Sequence, residues 1–277
     1  MKFLKSKLTL FFSLILLSGC SALRSTKPFG LSGLQPLSSK QADEILVRLA
    51  ADSAQINSFR LAGKLTVRGG GNSSQLMQTV VFERPHSLRA EVFAGPVNTW
   101  TGIVISTDNS VLSYVAAERT AYEGPITLCV TERVLSVPLL PEEFALWLTG
   151  RVFLPPASEI ERHEVLSGEN GALVVKLYLI DGRLVEILMS VGKDDEGRTS
   201  IKAFDVRRAS DRRLLFSSVR GERAIDFSIP EKGVTGSYAV SKLSLNPDLS
   251  ALREKLFQFT YPPGTTVERL KGTCAWQ

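Results

Sequence analysis

Apolar and polar residues alternate with a period of two along much of the chain beyond residue 58, a pattern typical of half-buried β-strands. Short turns separate these runs, and Asp181-Gly182 between two apolar runs is the clearest hairpin signal. Strands that follow one another through such turns pair antiparallel. The predicted strands are residues 59–67, 76–84, 88–92, 103–106, 111–115, 119–122, 172–180, 183–190, 201–207, 213–219, 223–229 and 256–261.

Three segments change from this alternation to the spacing of an α-helix. Ser38 followed by Gln41 is typical of a capped helix start, and an apolar stripe then continues to about residue 54. The stripe consists of Ala42, Ile45, Leu46 and Leu49. A short helix is predicted at residues 131–136. A clearer one begins at Pro141, with two glutamates in its first turn, and ends before Gly150.

The first twenty residues differ from the rest of the chain. Three lysines precede an apolar run at residues 8–17, which is too short to span a bilayer and is typical of a signal peptide. The run ends in Leu17-Ser18-Gly19-Cys20, which resembles the bacterial lipobox, in which the cysteine is acylated. An ordinary signal peptide with a chance cysteine is the alternative. We therefore predict a lipoprotein signal peptide at 1–19, a lipidated tether at 20–37 and a single β domain at 38–277.

Charge and composition exclude some classes of partner. Loss of the three lysines with the signal peptide lowers the formal net charge from +5 to +2. No dense basic run with interleaved aromatic residues predicts nucleic-acid binding. The arginine pairs at 207–208 and 212–213 alternate with aspartates, as on a solvated hairpin edge.

The sequence offers little catalytic chemistry. His86 is predicted in a turn and His163 in a charged loop, and neither has the spacing of a catalytic triad or a metal site. No HExxH, CxxC, GxSxG or phosphate-binding loop motif occurs, so no cofactor or metal is predicted. A binding or transfer protein is favoured over an enzyme, and a hydrolase is the weakest alternative.

Two further cysteines remain, Cys129 and Cys274. In an oxidising compartment they could form a disulfide, and two free or buried thiols are the alternative.

One turn has an unusual composition. Between two predicted strands, Gly95-Pro96 is followed by Val97 and Trp100, whereas turns are normally polar. Val97 is the candidate for an exposed apolar tip. Two interpretations are open for Trp100: it could contact the same surface as Val97, or pack inward at the base of the next strand.

Five segments, in order along the chain, resemble LolB, the outer-membrane lipoprotein receptor, and its relatives, which are structural kin of the periplasmic carrier LolA. They are FRLAG at 59–63, PHSLRAEV at 85–92, GPV at 95–97, VPL at 137–139 and FALWLTG at 144–150. The resemblance covers residues 38–153 and continues only as a β-rich pattern. It is carried by the ordered set together with the lipobox, and by no single motif.

The resemblance implies a mainly β fold, a strongly curved incomplete antiparallel barrel covered by short helices. It also implies an apolar cavity for the acyl chains of a lipoprotein, with helix residues above and strand residues as its floor. The candidate cavity residues are Leu61, Leu65, Leu88, Val92, Phe144, Trp147 and Leu148. The alternative for each of them is that it fills a solid core.

In function, the resemblance implies a protein anchored in the outer membrane through Cys20 and facing the periplasm. It would receive lipoproteins from a LolA-like carrier and insert them, using Val97, which stands where the family has leucine, with Trp100. The alternative is a structural or assembly lipoprotein that binds a protein partner in envelope or polymer export. An open apolar cavity would favour the first function, and an interior filled by side chains the second.

Overall fold

All fifteen strands in the described part of the chain belong to one sheet. The computed structural model describes residues 33–168, 171–193, 199–222 and 224–272. The elements are β1 (Gln35–Pro36), α1 (Ser39–Ala54), β2 (Ser58–Gly69), β3 (Asn72–Glu83), β4 (Ser87–Ala94), β5 (Thr99–Ser106), β6 (Ser110–Val115), β7 (Thr120–Pro125), α2 (Leu128–Leu135), α3 (Pro141–Thr149), β8 (Ile160–Ser167), β9 (Ala172–Leu179), β10 (Arg183–Lys193), β11 (Thr199–Arg208), β12 (Leu214–Arg220), β13 (Ile225–Ile229), β14 (Val234–Leu245), α4 (Arg253–Phe257) and β15 (Thr266–Arg269).

The strand order is β1-β8-β9-β10-β11-β12-β13-β14-β2-β3-β4-β5-β6-β7-β15. Every neighbouring pair is antiparallel except β15 and β7, which run parallel. Because β1 and β15 remain at opposite edges, the curved sheet is not closed into a barrel. The predicted fold class, a curved and incomplete antiparallel sheet with a few helices, is confirmed.

The main core lies between the inner face of this sheet and helices α1 and α3. In β2, Phe59 and Leu61 are buried in this core, whereas the alternate residue Lys64 is exposed. Helix α1 contributes Ala42 and Leu49 from its apolar stripe. Its start is the predicted one, because the Gln41 side chain accepts a hydrogen bond from the Ser38 backbone N–H at 3.2 Å.

The outer face of β5 and β6 carries a second, smaller core. Ile103, Ile105 and Tyr114 form it together with Phe259 and Tyr261 from the C-terminal segment. The segment therefore covers part of the convex side of the sheet before it adds β15 at the edge.

Four strands lie outside the predicted set, and the short edge strand β15 is one of them. The inward-facing residues of β14 are Val234, Gly236, Tyr238 and Val240. Gly236 weakens their apolar alternation, and a register shift after Val240 interrupts it. Strand β8 includes His163, which is therefore not in a loop. Strand β1 lies at the end of the predicted tether. The tether residues before Gly33, with Cys20 and the signal peptide, fall outside the described residues.

The predicted strand at 256–261 is wrong. Helix α4 ends at Phe257, and the backbone carbonyl of Leu256 accepts a hydrogen bond from the Arg89 guanidinium at 2.9 Å instead of from a neighbouring strand. Apolar alternation in this segment reflects aromatic packing on the outer face. Helix α2 is confirmed, but it begins three residues before the predicted start, at Leu128 after the Thr127 cap.

Two aromatic rings lie across glycines of the neighbouring strand. A Cβ atom at Gly63 would stand 2.7 Å from the Tyr238 ring, and one at Gly236 would stand 2.2 Å from the Phe227 ring. Real Cβ contacts are never that short, so both positions require glycine. The rings thereby fill the space that a side chain would take and pack the junction of β13, β14 and β2.

We expect Gly63→Ala to lower the free energy of unfolding by about 1–3 kcal/mol, because the added methyl group would overpack the Tyr238 ring. Chemical denaturation measures this. Gly221→Ala is the control, since its Cβ would meet only one atom within 4 Å, at 3.5 Å. Equal effects of the two substitutions would contradict the packing argument.

Cys129, near the start of α2, is disulfide-bonded. Its predicted partner, Cys274, lies outside the described residues, and the pairing stays a prediction. Gly272 supports it, because a Cβ there would lie 3.1 Å from the side chain of Thr127, two residues before Cys129.

Peptide mapping under non-reducing conditions should recover Cys129 joined to Cys274. Cys274→Ser should then lower the free energy of unfolding by about 4–5 kcal/mol, because the bond closes a long loop in the unfolded chain. Recovery of Cys129 joined to Cys20, or of unpaired Cys274, would refute the pairing.

Candidate functional site

Helix α3 forms where the sequence places its signals. Pro141 occupies the first turn, and the Glu143 carboxylate accepts a hydrogen bond from the Leu140 backbone N–H at 2.8 Å. Gly150 ends the helix in the left-handed conformation, with φ of 78°. The Arg151 N–H then reaches back to the Leu146 carbonyl at 2.9 Å, which is a Schellman closure.

Helix α3 is buried on all sides. Every residue from Pro141 to Leu148 is buried, the two glutamates included. A helix buried all round is a core element rather than a surface cover. The two buried carboxylates must therefore be paired, because an unpaired buried charge is very costly.

The carboxylate of Glu143 is paired with Arg183, the first residue of β10. The two Arg183 Nη atoms donate to the two Glu143 oxygens at 2.6 Å and 3.0 Å, and Arg183 Nε donates to Asp181 at 2.8 Å. Burial alone lowers the pKa of Arg183, but the carboxylates of Glu143 and Asp181 raise it above its ordinary value. This guanidinium is permanently charged and fully paired.

The carboxylate of Glu142 is paired with Arg84, which lies between β3 and β4. Arg84 Nη1 donates to Glu142 at 2.5 Å, and its other nitrogens donate to the backbone carbonyls of Ile56 and Ser53 at 2.7 Å and 2.9 Å. Burial raises the pKa of Glu142, and Arg84 opposes this rise. Arg84 thus joins the end of α1 to the start of α3.

The other end of α3 is held by β12. Arg220 donates to the carbonyls of Trp147 and Leu148 at 2.8 Å and 3.2 Å, and Trp147 Nε1 donates to Ser218 at 2.8 Å. Burial and the neighbouring Arg151 lower the pKa of Arg220 to about 10, so the guanidinium stays charged at neutral pH. Its positive charge faces the negative end of the helix dipole.

Apolar contacts hold the middle of α3. The Trp147 ring meets the edges of Phe216 and Phe227, with centroids 5.4 Å and 6.2 Å away, and lies 5.8 Å from Phe144. Such aromatic pairs add to the area they bury. Helix α3 is therefore held by polar contacts at its ends and by aromatic packing between them.

The interior beneath α3 is filled. Of the candidate cavity residues, Leu61, Leu88, Phe144, Trp147 and Leu148 are buried in the main core, and Leu65 packs against it. The two best-formed cavities among the described residues have volumes of about 10 Å³ each. A pocket for a ligand of lipid size needs several hundred cubic ångströms. The cavity role of these residues stays a prediction.

The inner face of β4 opens gradually toward its end. Leu88 and Ala90 are fully buried, whereas Val92 and Ala94 are partly exposed. By strand register, Leu76 and Leu65 lie opposite Ala94 on the same face. We call Leu65, Leu76, Val92 and Ala94 the apolar strip. It continues the apolar interior toward the turn between β4 and β5.

That turn carries the most exposed large apolar side chain in the described part of the chain. Val97 is 80% exposed. Gly95 and Asn98 both have positive φ, and the Asn98 N–H donates to the Gly95 carbonyl at 3.2 Å, so the turn has a defined shape. Trp100 lies behind it in β5 and is partly exposed, with its ring 5.7 Å from Tyr114. The membrane roles of Val97 and Trp100 stay predictions.

The remaining site predictions concern metal binding and the two histidines. Within the described ranges, no group of three or more histidine, cysteine, aspartate or glutamate side chains is placed to hold a metal ion. The side chain of His163 pairs instead with Asp43 of α1 at 3.2 Å.

The three arginines that hold α3 were missed by sequence reasoning. Arg84, Arg183 and Arg220 contact α3 residues between 40 and 73 positions away in the chain. Their only sequence signal is the pair of glutamates in a helix that is otherwise apolar, since such carboxylates need cationic partners once the helix is buried.

Comparison with known proteins identifies the fold. No family model matches the sequence, and no curated protein is detectably similar to it. The fold is found in other solved structures. A putative outer membrane lipoprotein-sorting protein domain from Vibrio parahaemolyticus has 10% identity and a TM-score of 0.55, over 80% of this chain and 100% of that one. A DUF1329 family protein from Desulfovibrio piger has 12% identity and a TM-score of 0.51, over 79% and 98%.

A LolA superfamily protein from Nitrosomonas europaea also matches, with 10% identity and a TM-score of 0.49, over 76% of this chain and 96% of that one. Identities this low show a common fold alone. The predicted LolA/LolB-type fold is confirmed at that level.

Arg183→Met should lower the free energy of unfolding by about 3–5 kcal/mol, because it leaves Glu143 buried without its cation. Adding Glu143→Gln should recover much of the loss, since the uncompensated charge is then gone. Urea denaturation of the two single variants and the double variant measures the coupling. Arg253→Met, which removes an exposed pair with Glu83, is the control and should change little. If the losses of stability of the two single variants add up in the double variant, the inferred coupling between Arg183 and Glu143 is contradicted.

Proposed function

We propose that this protein is a lipid-anchored envelope protein that binds acyl chains and helps to transfer lipoproteins to the outer membrane. One observation carries the proposal: the inner face of β4 is apolar from the buried Leu88, through the apolar strip, to the turn that exposes Val97. Acyl chains that cross an aqueous compartment need such a dry, continuous surface, and no catalytic group is required for it.

Binding of a whole acyl chain requires displacement of α3, because the interior is filled in this structure. The polar contacts at the two ends of α3 hold it in place, and its aromatic middle covers the floor. When α3 moves, an acyl chain can replace the apolar contacts that the helix gives up. The apolar floor is then covered by the acyl chain instead of by α3, so it stays buried.

The turn at residues 95–98 is suited to contact with a bilayer. A single exposed apolar residue is ordinary on a protein surface. Here the exposed Val97 ends an apolar path, on a turn of defined shape, and the likeness to a lipoprotein-sorting fold adds support. Trp100, packed against Tyr114, would support the turn from behind.

Anchoring through an acylated Cys20, orientation toward the periplasm and delivery by a LolA-like carrier complete the proposal. None of the helices in the described ranges has the length and apolar character needed to cross a membrane.

The full chain carrying Cys20→Ala should bind a palmitoylated peptide, as measured by fluorescence anisotropy. Val97→Glu should leave this affinity unchanged and slow transfer of the peptide to phospholipid vesicles roughly tenfold, because a charge replaces an apolar group that enters the bilayer. Val47→Glu on α1 is the control, since Val47 is 69% exposed but lies away from the strip. If the Val97→Glu variant transfers the peptide at the wild-type rate, the turn does not act by entering the bilayer.

A second candidate function has its own support in the filled interior. A structural or assembly lipoprotein that binds a protein partner needs a solid core and no cavity. One partner bound at equal stoichiometry, together with no uptake of the palmitoylated peptide, would favour this function.

A further inference from the structure

The hydroxyl group of Tyr238 is buried without a hydrogen-bond partner. The side chain, on the inner face of β14, is 1% exposed, and its oxygen meets no donor or acceptor in the described structure. Buried polar groups are almost always paired, so an exception calls for an explanation. The Tyr261 hydroxyl, by contrast, donates to Glu123 at 2.9 Å.

The position of this hydroxyl is set by glycine. The Tyr238 ring lies where Gly63 of β2 lacks a side chain, and Gly63 is the register partner of Gln78 on β3. The Cβ atoms of directly opposed residues are about 5 Å apart, so the hydroxyl end of the ring lies beside the base of the Gln78 side chain. Gln78 is 8% exposed and its amide forms no hydrogen bond within the described ranges, but its amide atoms are not fully enclosed as the Tyr238 oxygen is.

This patch adjoins the apolar strip. Tyr238 is the register partner of Leu65, and Gln78 is the register partner of Val92. The enclosed Tyr238 hydroxyl and the less enclosed Gln78 amide therefore lie on an apolar floor, at the border between the filled interior and the open strip. Elsewhere the inner face of β2 to β4 is apolar between Phe59 and Leu65.

We infer that Tyr238 and Gln78 form a polar notch that binds the carbonyl oxygen of an ester- or amide-linked acyl chain. This inference rests on the proposed function and specifies its ligand. The hydrocarbon would lie along the apolar floor, and the carbonyl would accept a hydrogen bond from the Tyr238 hydroxyl or the Gln78 amide. An alkyl chain with no carbonyl would leave both groups unpaired.

The chemistry of the notch fits this ligand. Both groups can donate a hydrogen bond, and a carbonyl oxygen accepts up to two. Burial raises the pKa of Tyr238, so its hydroxyl keeps its proton and stays a donor at physiological pH. In this structure the Tyr238 hydroxyl is enclosed by the core. The carbonyl of the acyl chain would reach it after the displacement of α3 that the proposed function requires.

The test compares 1-palmitoylglycerol, which has an ester carbonyl, with 1-hexadecylglycerol, the ether that lacks it. The full chain with Cys20→Ala should bind the ester about three- to tenfold more tightly, the range expected for one net hydrogen bond. Tyr238→Phe should abolish this preference by weakening ester binding alone. Gln78→Met, which keeps the length and removes the amide, should weaken ester binding to a smaller degree.

The same substitution has an opposite expected effect on the stability of the unliganded protein. Tyr238→Phe should raise its melting temperature, because the variant removes a buried hydroxyl that has no partner. Tyr114→Phe, on the outer face of the sheet, is the control and should change neither binding nor ester preference.

Equal binding of ester and ether by the wild-type chain, or equal weakening of both by Tyr238→Phe, would overturn the notch and leave the proposed function standing. Binding of neither lipid would overturn both. A lower melting temperature for Tyr238→Phe would show that the hydroxyl is paired within the protein, and would also refute the inference.

Discussion

The buried pair of Glu143 and Arg183 fixes α3 against the sheet, and the arrangement of the interior depends on that position. Removing both charges from water is expensive, and the cost is offset only by good geometry. Both carboxylate oxygens accept from Arg183, which also binds Asp181. Because Glu143 also caps α3 and Arg183 begins β10, one interaction sets where the helix starts and which strand it meets. The aromatic contacts of Trp147 then follow from the direction of the helix.

Helix α3 also bridges the two halves of an open sheet. In the strand order, β8 to β14 form one half and β2 to β7 the other. Among the described strands, the two halves pair only through β14 and β2. Arg84 holds α3 from the second half, whereas Arg183 and Arg220 hold it from the first. A sheet with free edges has no closure of its own to define its curvature. Contacts from both halves to one buried helix supply a substitute, so movement of α3 would loosen the curvature together with the interior.

Local signals made much of this fold predictable, and distance along the chain limited the rest. The helices at Ser39 and Pro141 follow from caps and acids within one turn of their starts, and hairpins follow from alternation on both sides of a turn. Strand β14 was missed because Gly236 and a register shift interrupt its pattern. The arginine contacts to α3 were missed because a sequence shows the charge but not its partner. The exposed position of Val97 was predictable, since an apolar residue in a Gly-Pro turn has nothing nearby to cover it.

The filled interior is compatible with a transfer function on energetic grounds. A bilayer stabilises an acyl chain by about 0.8 kcal/mol per methylene, so a protein that bound the chain equally well in a preformed cavity would release it slowly. If the protein must first give up its own packing under α3, that cost is subtracted from its affinity for the chain. The free energy recovered when α3 repacks then favours release toward the membrane. A solid interior held by a few polar contacts is therefore what a weak, reversible acceptor needs, provided that those contacts break more easily than the core behind them.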